Sequence, residues 1–175
     1  MLNYFELFAV PTSFELNLQL LSKNYQALQK ATHPDKFAGQ SDQQQRLALQ
    51  KNAQINDGYQ VLKSPIARAE HLLALRGVEL ANETQTMQDT SFLMQQMEWR
   101  ETLAEAPSSA DPQSVLDELI DEVESAQQTT KINIADQLKL NTSEADHAVA
   151  DEVRKLKFID KMQAEISEYE EKLFN

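Results

Sequence analysis

The tripeptide His33-Pro34-Asp35 limits the folds open to this chain, because it interrupts two amphipathic segments at a fixed point. Pro34 disfavours helical geometry at His33 and has no backbone N–H to donate, so the first helix has to end there. Apolar residues recur at helical spacing on both sides. They are Leu18, Leu21, Tyr25 and Leu28 before the tripeptide and Ala48, Ile55, Tyr59 and Leu62 after it. The pattern predicts two antiparallel helices joined by a short loop.

By itself the tripeptide has two interpretations, an ordinary helix stop or a stiff loop that holds an imidazole and a carboxylate out to solvent. Local capping patterns predict where the flanking helices begin. Ser41 with Gln44 predicts a capping box for the second helix. For the first helix, Asn17 competes as the cap with Thr12 and Glu15.

Two shorter helices complete the amino-terminal part. An aromatic helix is predicted over residues 4–8 and a fourth helix over 66–75. Ser64-Pro65 is typical of a cap followed by proline at the first helical position, and Gly77 is typical of a stop.

The carboxy-terminal part predicts three more helices that pack as a small bundle. The first covers residues 92–105, and Asp111-Pro112 opens the second. Continuity of the second helix across residues 127–130 stays open, because the two threonines there favour helix poorly. Asn141 with Glu144 is expected to open the last helix.

Composition narrows the fold class and the chemistry. Only three glycines and five prolines occur in 175 residues, which disfavours a β-fold with many tight turns and predicts an all-α protein. The absence of cysteine excludes disulfides, thiol nucleophiles and thiolate metal sites. The three histidines lie far apart in sequence and show no metal-ligand spacing. We therefore expect no metal and no cofactor.

An enzyme is the main alternative class of protein. His33 and Asp35 could form an acid–base pair, but no nucleophile or phosphate-binding loop accompanies them. His147, beside Asp146, is interpreted as an exposed polar residue. The sequence therefore predicts no catalytic residue.

Charge divides the chain into two parts. Residues 1–76 carry eight basic and six acidic side chains, whereas the remainder carries eight basic and 22 acidic ones, a net charge of −14. The asymmetry suggests two modules with different partners, and repulsion from phosphate disfavours nucleic acid for the second. Neither a signal-peptide pattern nor the ~20 apolar residues of a membrane span is present, so we expect a cytoplasmic protein without membrane association.

The helix predicted over residues 92–105 has two apolar faces. One consists of Phe92, Trp99 and Leu103, and the other, roughly 150° away at about 100° per residue, of Leu93, Met94 and Met97. Glu98, Glu101 and Glu105 lie on the side of Met94. Either the bundle and the amino-terminal domain cover both faces, or the second face is an exposed protein-binding patch with an acidic flank. Glutamates on a helix can also form an ordinary solvated face.

Phe158 on the last helix lies about 100° or more from the apolar stripe of Val153, Leu156 and Ile159. A phenylalanine out of phase is either wedged against a neighbouring element or exposed for binding. The sequence leaves both possibilities open.

The tripeptide with its two helices resembles the J domain of DnaJ-type co-chaperones. The whole chain resembles the HscB family, the J-type co-chaperones of iron–sulfur cluster assembly. Five segments carry this resemblance: Tyr4-Phe5-Glu6-Leu7-Phe8, His33-Pro34-Asp35-Lys36-Phe37, Arg68-Ala69-Glu70-His71-Leu72-Leu73, Asp89-Thr90-Ser91-Phe92-Leu93-Met94 and Val153-Arg154-Lys155-Leu156-Lys157-Phe158. The Gly/Phe-rich linker and cysteine-rich modules of a general DnaJ protein are missing.

The resemblance implies an L-shaped, all-α molecule with a J domain over residues 1–76, a connector over 77–88 and a three-helix bundle over 89–175. The J domain, a helical hairpin plus short helices, would dock on the DnaK-type chaperone HscA and stimulate its ATPase. The bundle would bind the iron–sulfur scaffold protein IscU and deliver it to that chaperone. A general holdase that binds unfolded clients is the alternative among chaperones.

The same resemblance assigns binding residues. The implied chaperone-binding residues are His33, Pro34, Asp35, Lys36, Lys23 and Lys30. The implied scaffold-binding residues are Leu93, Met94, Met97, Glu98, Glu101, Glu105 and Phe158. Two positions depart from the family pattern, since His71 stands where tyrosine is usual and Met97 where leucine is usual. Protonation of His71 is expected to weaken packing between the two domains.

Overall fold

The chain is helical, without a β-strand, over the residues that the computed structural model describes, which are 1–78, 80 and 89–174. The α-helices are α1 (Tyr4–Leu7), α2 (Leu18–Thr32), α3 (Asp42–Lys63), α4 (Pro65–Leu75), α5 (Thr90–Glu105), α6 (Pro112–Leu140) and α7 (Ser143–Phe174). The chain divides into two compact units, Met1–Val78 and Glu79–Asn175. The all-α prediction is confirmed, whereas most of the expected connector, residues 77–88, lies outside the described residues.

Helices α2 and α3 form the predicted hairpin of the first unit. The rings of Tyr25 and Tyr59 stack with centroids 4.1 Å apart, and the Asn52 amide donates to the Thr32 hydroxyl at 3.4 Å. The later residue of α2, Thr32, thus contacts the earlier residue of α3, Asn52, so the two helices are antiparallel. The buried stripe between them consists of Leu21, Ala48, Ile55 and Leu62.

Local capping chemistry sets the beginnings of these helices. Asn17, rather than the alternative pair upstream, caps α2 by accepting a backbone N–H of the first turn. Ser41 and Gln44 form the expected capping box at the start of α3. Ser64 caps α4 with Pro65 at its first position. Each cap satisfies N–H groups that have no partner inside the helix.

Helix α1 packs across α3 at Gly58. A β-carbon built on Gly58 would lie 2.6 Å from a Tyr4 ring carbon and 3.0 Å from a Phe8 ring carbon. Two elements that approach this closely leave no space for a side chain. Gly58 is therefore required by packing, and the sequence analysis did not identify it.

His71 on α4 holds the beginning of α1 in place. Its Nε2 accepts the backbone N–H of Tyr4 at 3.2 Å, and its buried ring stacks on Phe5 with centroids 5.8 Å apart. An accepting Nε2 requires a neutral imidazole, and burial lowers the pKa of His71. These contacts give His71 a structural role within the first unit.

Arg68, also on α4, is buried, and its guanidinium donates hydrogen bonds to backbone carbonyls. Its Nε donates to the Leu62 carbonyl at 2.8 Å, and its Nη1 donates to the Phe14 carbonyl at 2.6 Å. Burial lowers the pKa of this guanidinium. Arg68 thus ties the segment before α2 to the junction of α3 and α4.

The second unit is built on the long antiparallel pair α6 and α7, with α5 packed against it. The large buried apolar side chains of the pair are Leu116, Leu119, Val123, Ile134, Leu138, Val149, Val153, Leu156, Ile159, Met162 and Ile166. Phe92 and Trp99 of α5 join the part of this core that contains Ile159. The three-helix arrangement matches the bundle expected from the sequence.

Helix α6 is continuous across residues 127–130, the stretch that the sequence left open. The hydroxyls of Thr129 and Thr130 donate to the carbonyls four residues earlier at 3.0 and 2.8 Å. Gln127 donates across to Asp160 and Gln163 of α7 at 3.1 and 2.9 Å. Tertiary contacts therefore outweigh the weak helix propensity of the threonines.

The expected cap of the last helix was wrong by one residue. Asn141 adopts a left-handed conformation, φ 53°, and ends α6. Thr142 caps α7 instead, because its hydroxyl accepts the Ala145 N–H at 3.2 Å. The sharp reversal between α6 and α7 needs a residue that tolerates positive φ, and asparagine does so readily.

Candidate protein-binding sites

The tripeptide lies in a tight turn, because residues Pro34–Phe37 form a short 3-10 helix rather than an open loop. The Lys36 N–H donates to the His33 carbonyl at 3.0 Å, and the Asp35 N–H donates to the His33 Nδ1 at 3.3 Å. Nδ1 also lies 3.5 Å from the Asp35 carboxylate. Because 90% of the Asp35 side chain is exposed, the carboxylate is accessible to a partner.

Side chains of α3 hold the segment that follows the turn. The Gln45 amide donates to the carbonyls of Ala38 at 3.2 Å and Gln40 at 3.0 Å. The sequence analysis did not single out Gln45, although a glutamine four residues after a capping serine is well placed to reach back to the loop.

A polar network holds the segment that precedes the turn. Tyr25 donates to Asn56 at 3.0 Å, Gln29 donates to Tyr25 at 2.8 Å, and Asn56 donates to Asn52 at 3.2 Å. Thr32 completes it through its hydrogen bond from Asn52. In the sequence, this network could have been recognised from the polar residues spaced four apart, Tyr25 and Gln29 on α2 and Asn52 and Asn56 on α3. Partly buried networks of this kind restrict the geometry of the elements that carry them.

The three candidate lysines lie on the same side of the hairpin as the turn. Lys30, His33 and Lys36 line one shallow depression together with Gln29. Lys23 lies two helical turns before Lys30, about 10.5 Å along the same face of α2. All three ammonium groups are on exposed residues, so the structure presents positive charge beside the single carboxylate of the tripeptide.

The two apolar faces of α5 have different environments. Phe92 and Trp99 are 6% and 2% exposed, and Leu103 packs against the same core. On the opposite side, Met94 is 58% exposed and Met97 is 71% exposed. Within the second unit, the Phe92 face is therefore covered and the Met94 face is not. Glu98, Glu101 and Glu105 are also exposed beside Met94.

An ion pair between α5 and α7 shows which residues of the two helices lie at the same level. Arg100 lies 3.5 Å from Glu165. Leu93 lies seven residues before Arg100, and Phe158 lies seven residues before Glu165. Seven residues are about two helical turns, so each residue lies on nearly the same helix face as the member of the pair that follows it. Phe158 is therefore level with Leu93 and faces the same seam. Both are exposed, Phe158 by 40% and Leu93 by 37%. We call Leu93, Met94, Met97 and Phe158 the apolar patch.

In the described part of the chain, no group of three histidine, aspartate or glutamate side chains has the arrangement of metal ligands. His147 is exposed, and its Nδ1 lies 2.6 Å from the Ser143 carbonyl of the preceding turn. None of the helices in those residues combines the length and the apolar character needed to cross a membrane.

Sequence comparisons connect the chain to a defined family. A family model described as the HSCB C-terminal oligomerisation domain matches residues 88–167. The co-chaperone protein HscB homolog of Shewanella baltica (strain OS195) is 47% identical over 174 residues, which cover 99% of this chain and all of that protein. The homolog of Shewanella pealeana (strain ATCC 700345 / ANG-SQ1) is 51% identical over 178 residues with the same coverage.

Two solved structures share the fold. The chaperone HscB from Vibrio cholerae superposes with a TM-score of 0.91 and 46% identity, over 98% of this chain and all of that one. The human co-chaperone protein HscB superposes with a TM-score of 0.85 and 25% identity, over 95% of this chain and 81% of the human one.

Proposed function

The chain belongs to the HscB family of co-chaperones, and from this premise we propose that it is a co-chaperone of iron–sulfur cluster assembly. It binds the scaffold protein IscU through the apolar patch and its three glutamates, and it delivers the scaffold to the DnaK-type chaperone HscA. Its J domain, residues 1–76, stimulates the ATPase of that chaperone. It acts in the cytoplasm without catalysis of its own and without binding nucleic acid or a membrane.

The observation that carries the scaffold assignment is the division of α5 into a buried and an exposed apolar face. Two methionines on the exposed face are flexible and polarisable, which suits recognition of a protein surface. A row of three exposed glutamates on the adjoining side would fix the orientation of a partner with complementary basic residues. The patch lies within one compact unit, so its geometry does not depend on the connector.

The chaperone assignment depends on the turn at residues 33–36. Hydrogen bonds to the flanking backbone hold this turn, while the Asp35 carboxylate extends into solvent. A pre-ordered loop loses little entropy on binding, and a charged hydrogen bond to a partner cation is a strong one. Lys23, Lys30 and Lys36 would attract an acidic surface of the chaperone over longer distances.

The scaffold arm is tested by titrating IscU with the wild-type protein and with the triple variant Leu93→Ala, Met94→Ala, Phe158→Ala. We expect at least a hundredfold loss of affinity, because interface anchors contribute about 1–2 kcal/mol or more each. Ile132→Ala with Leu140→Ala is the control, since these residues are exposed apolar side chains of α6 that lie outside the patch. Wild-type-like binding by the triple variant would overturn the patch assignment.

The chaperone arm is tested by measuring ATP hydrolysis by HscA with Asp35→Asn. Loss of one charged hydrogen bond is expected to weaken the interaction by about 1.5–3 kcal/mol, which is more than tenfold. Asp42→Asn removes another exposed carboxylate from the same unit and should stimulate normally. Binding of IscU by Asp35→Asn should equal that of wild type, because the substitution lies in the other unit.

A further inference from the structure

Lys155 of α7 connects two helices of the second unit at one end of the apolar patch. Its Nζ lies 2.7 Å from the Asp89 carboxylate, which caps α5, and 3.0 Å from Glu152 one turn earlier on α7. The same ammonium lies 5.8 Å from the centroid of the Phe92 ring. Only 19% of the Lys155 side chain is exposed.

The interactions within this cluster favour the charged forms of Lys155 and Asp89. Hydrogen bonds from Lys155, Ser91 and the Phe92 N–H hold the pKa of Asp89 well below its usual range. Burial by itself lowers the pKa of Lys155, but Asp89 and Glu152 outweigh it and leave that pKa raised. Partly buried, hydrogen-bonded ion pairs hold geometry more firmly than exposed ones. Arg100 and Glu165, by comparison, form a longer and more exposed pair.

The position of the cluster matters for the patch. Lys155 precedes Phe158 by three residues, less than one turn of α7. Asp89 precedes Leu93 by four residues, about one turn of α5. This ion pair therefore joins the start of α5 to α7 immediately beside the two patch residues that belong to different helices.

We propose that Lys155 is a positioning residue for scaffold binding: its contact with Asp89 fixes the register of α5 against α7 and thereby keeps Leu93 level with Phe158. This inference rests on the proposed function of the patch. It assigns no direct contact between Lys155 and the scaffold. The sequence pattern places Asp89 and Lys155 in separate segments and gives no sign that they meet.

The first test measures IscU affinity for Lys155→Met, which removes the ammonium and retains an apolar stem. We expect about tenfold weaker binding, with partial rescue in Lys155→Arg. In a Leu93→Ala background the same substitution should weaken binding less than about twofold, because its effect acts through Leu93. Equal weakening in both backgrounds would indicate a direct contact and overturn the proposal. Lys172→Met is the control, since Lys172 pairs with Glu168 inside α7.

The second test measures register without the scaffold. Because the chain has no cysteine, spin labels can be attached at Ala104→Cys on α5 and Lys161→Cys on α7, both exposed positions. The distance distribution should broaden in Lys155→Met and stay narrow in Lys172→Met. An unchanged distribution would overturn the proposal. Asp89→Asn provides a second route if Lys155→Met folds poorly, because asparagine still caps the helix but does not attract the ammonium.

The IscU titration and the spin-label measurement together distinguish failure of this inference from failure of the proposed function. If wild-type protein does not bind IscU, the proposed function is wrong, whereas the spin labels still report the register. If wild type binds and Lys155→Met binds equally well, the patch assignment stands and the positioning role is refuted.

Discussion

Phe158 and Ile159 are neighbours on α7 with opposite environments, and they allow binding to be separated from stability. Phe158 is 40% exposed, whereas Ile159 is fully buried against α5 and α6. We compare Phe158→Ala, which truncates the patch, with Ile159→Val, which removes one methylene from the core. The pair is chosen so that both substitutions cost the second unit a similar free energy of unfolding.

The expected magnitudes follow from burial. Truncating the covered part of Phe158 removes roughly 50 Å² of apolar contact, about 1–1.5 kcal/mol at ~25 cal/mol per Å². Ile→Val in a packed core costs about 0.5–1.5 kcal/mol. Both should lower the melting temperature by about 4–8 °C per kcal/mol for a domain of this size. Only Phe158→Ala should lose affinity for IscU, by about 30-fold if it contributes about 2 kcal/mol as an anchor.

Melting and titration should be measured on the same preparation of the full chain. The reasoning is refuted if both variants bind IscU equally, because exposure would then not mark an anchor. It is also refuted if Phe158→Ala loses more than about 3 kcal/mol of stability, since a loss of that size is typical of truncated core residues. In that case Phe158 would be wedged into the seam rather than available to a partner.

Three further predictions concern the first unit. Gly58→Ala should destabilise it by about 1–3 kcal/mol in denaturant titration, despite better helix propensity, because the new methyl group overlaps the Tyr4 ring. Stability should fall as pH is lowered through about 6.5, where the unfolded chain binds a proton that buried His71 resists. His71→Gln, which can still accept the Tyr4 N–H, should flatten this pH dependence; an unchanged slope would exclude His71 as its source. Gln45→Ala should reduce ATPase stimulation while leaving IscU binding unchanged, because it frees the segment after the turn.

Most helix starts were predictable from the sequence because a capping residue and the backbone groups that it binds lie within a few residues of one another. Asn17, the Ser41 and Gln44 pair, and Ser64-Pro65 all cap the helices expected from them. Asn141 was misassigned because it and Thr142 are both able to cap. The choice between them depends on the reversal of the chain after α6, which is a property of two packed helices.

The continuity of α6 shows the limit of local propensity. Two threonines weaken the helix by a few tenths of a kcal/mol each. Their hydroxyls bond to the preceding turn, Gln127 bonds to α7, and buried Thr130 lies on the face that packs. The partners of Gln127 on α7 are more than 30 positions away in the sequence, so no short window of sequence contains both sides of this contact.

The sequence by itself determined the helices, most of their caps, the charge asymmetry and the presence of two apolar faces on α5, since all of these follow from residue type and helical period. Only the tertiary structure decided that the Phe92 face is buried and the Met94 face exposed. It also decided that Phe158 lies level with Leu93 and that Lys155 meets Asp89. The physical reason is that exposure and register depend on which surfaces α6 and α7 present to α5, and residues about 65 positions apart share no local signal.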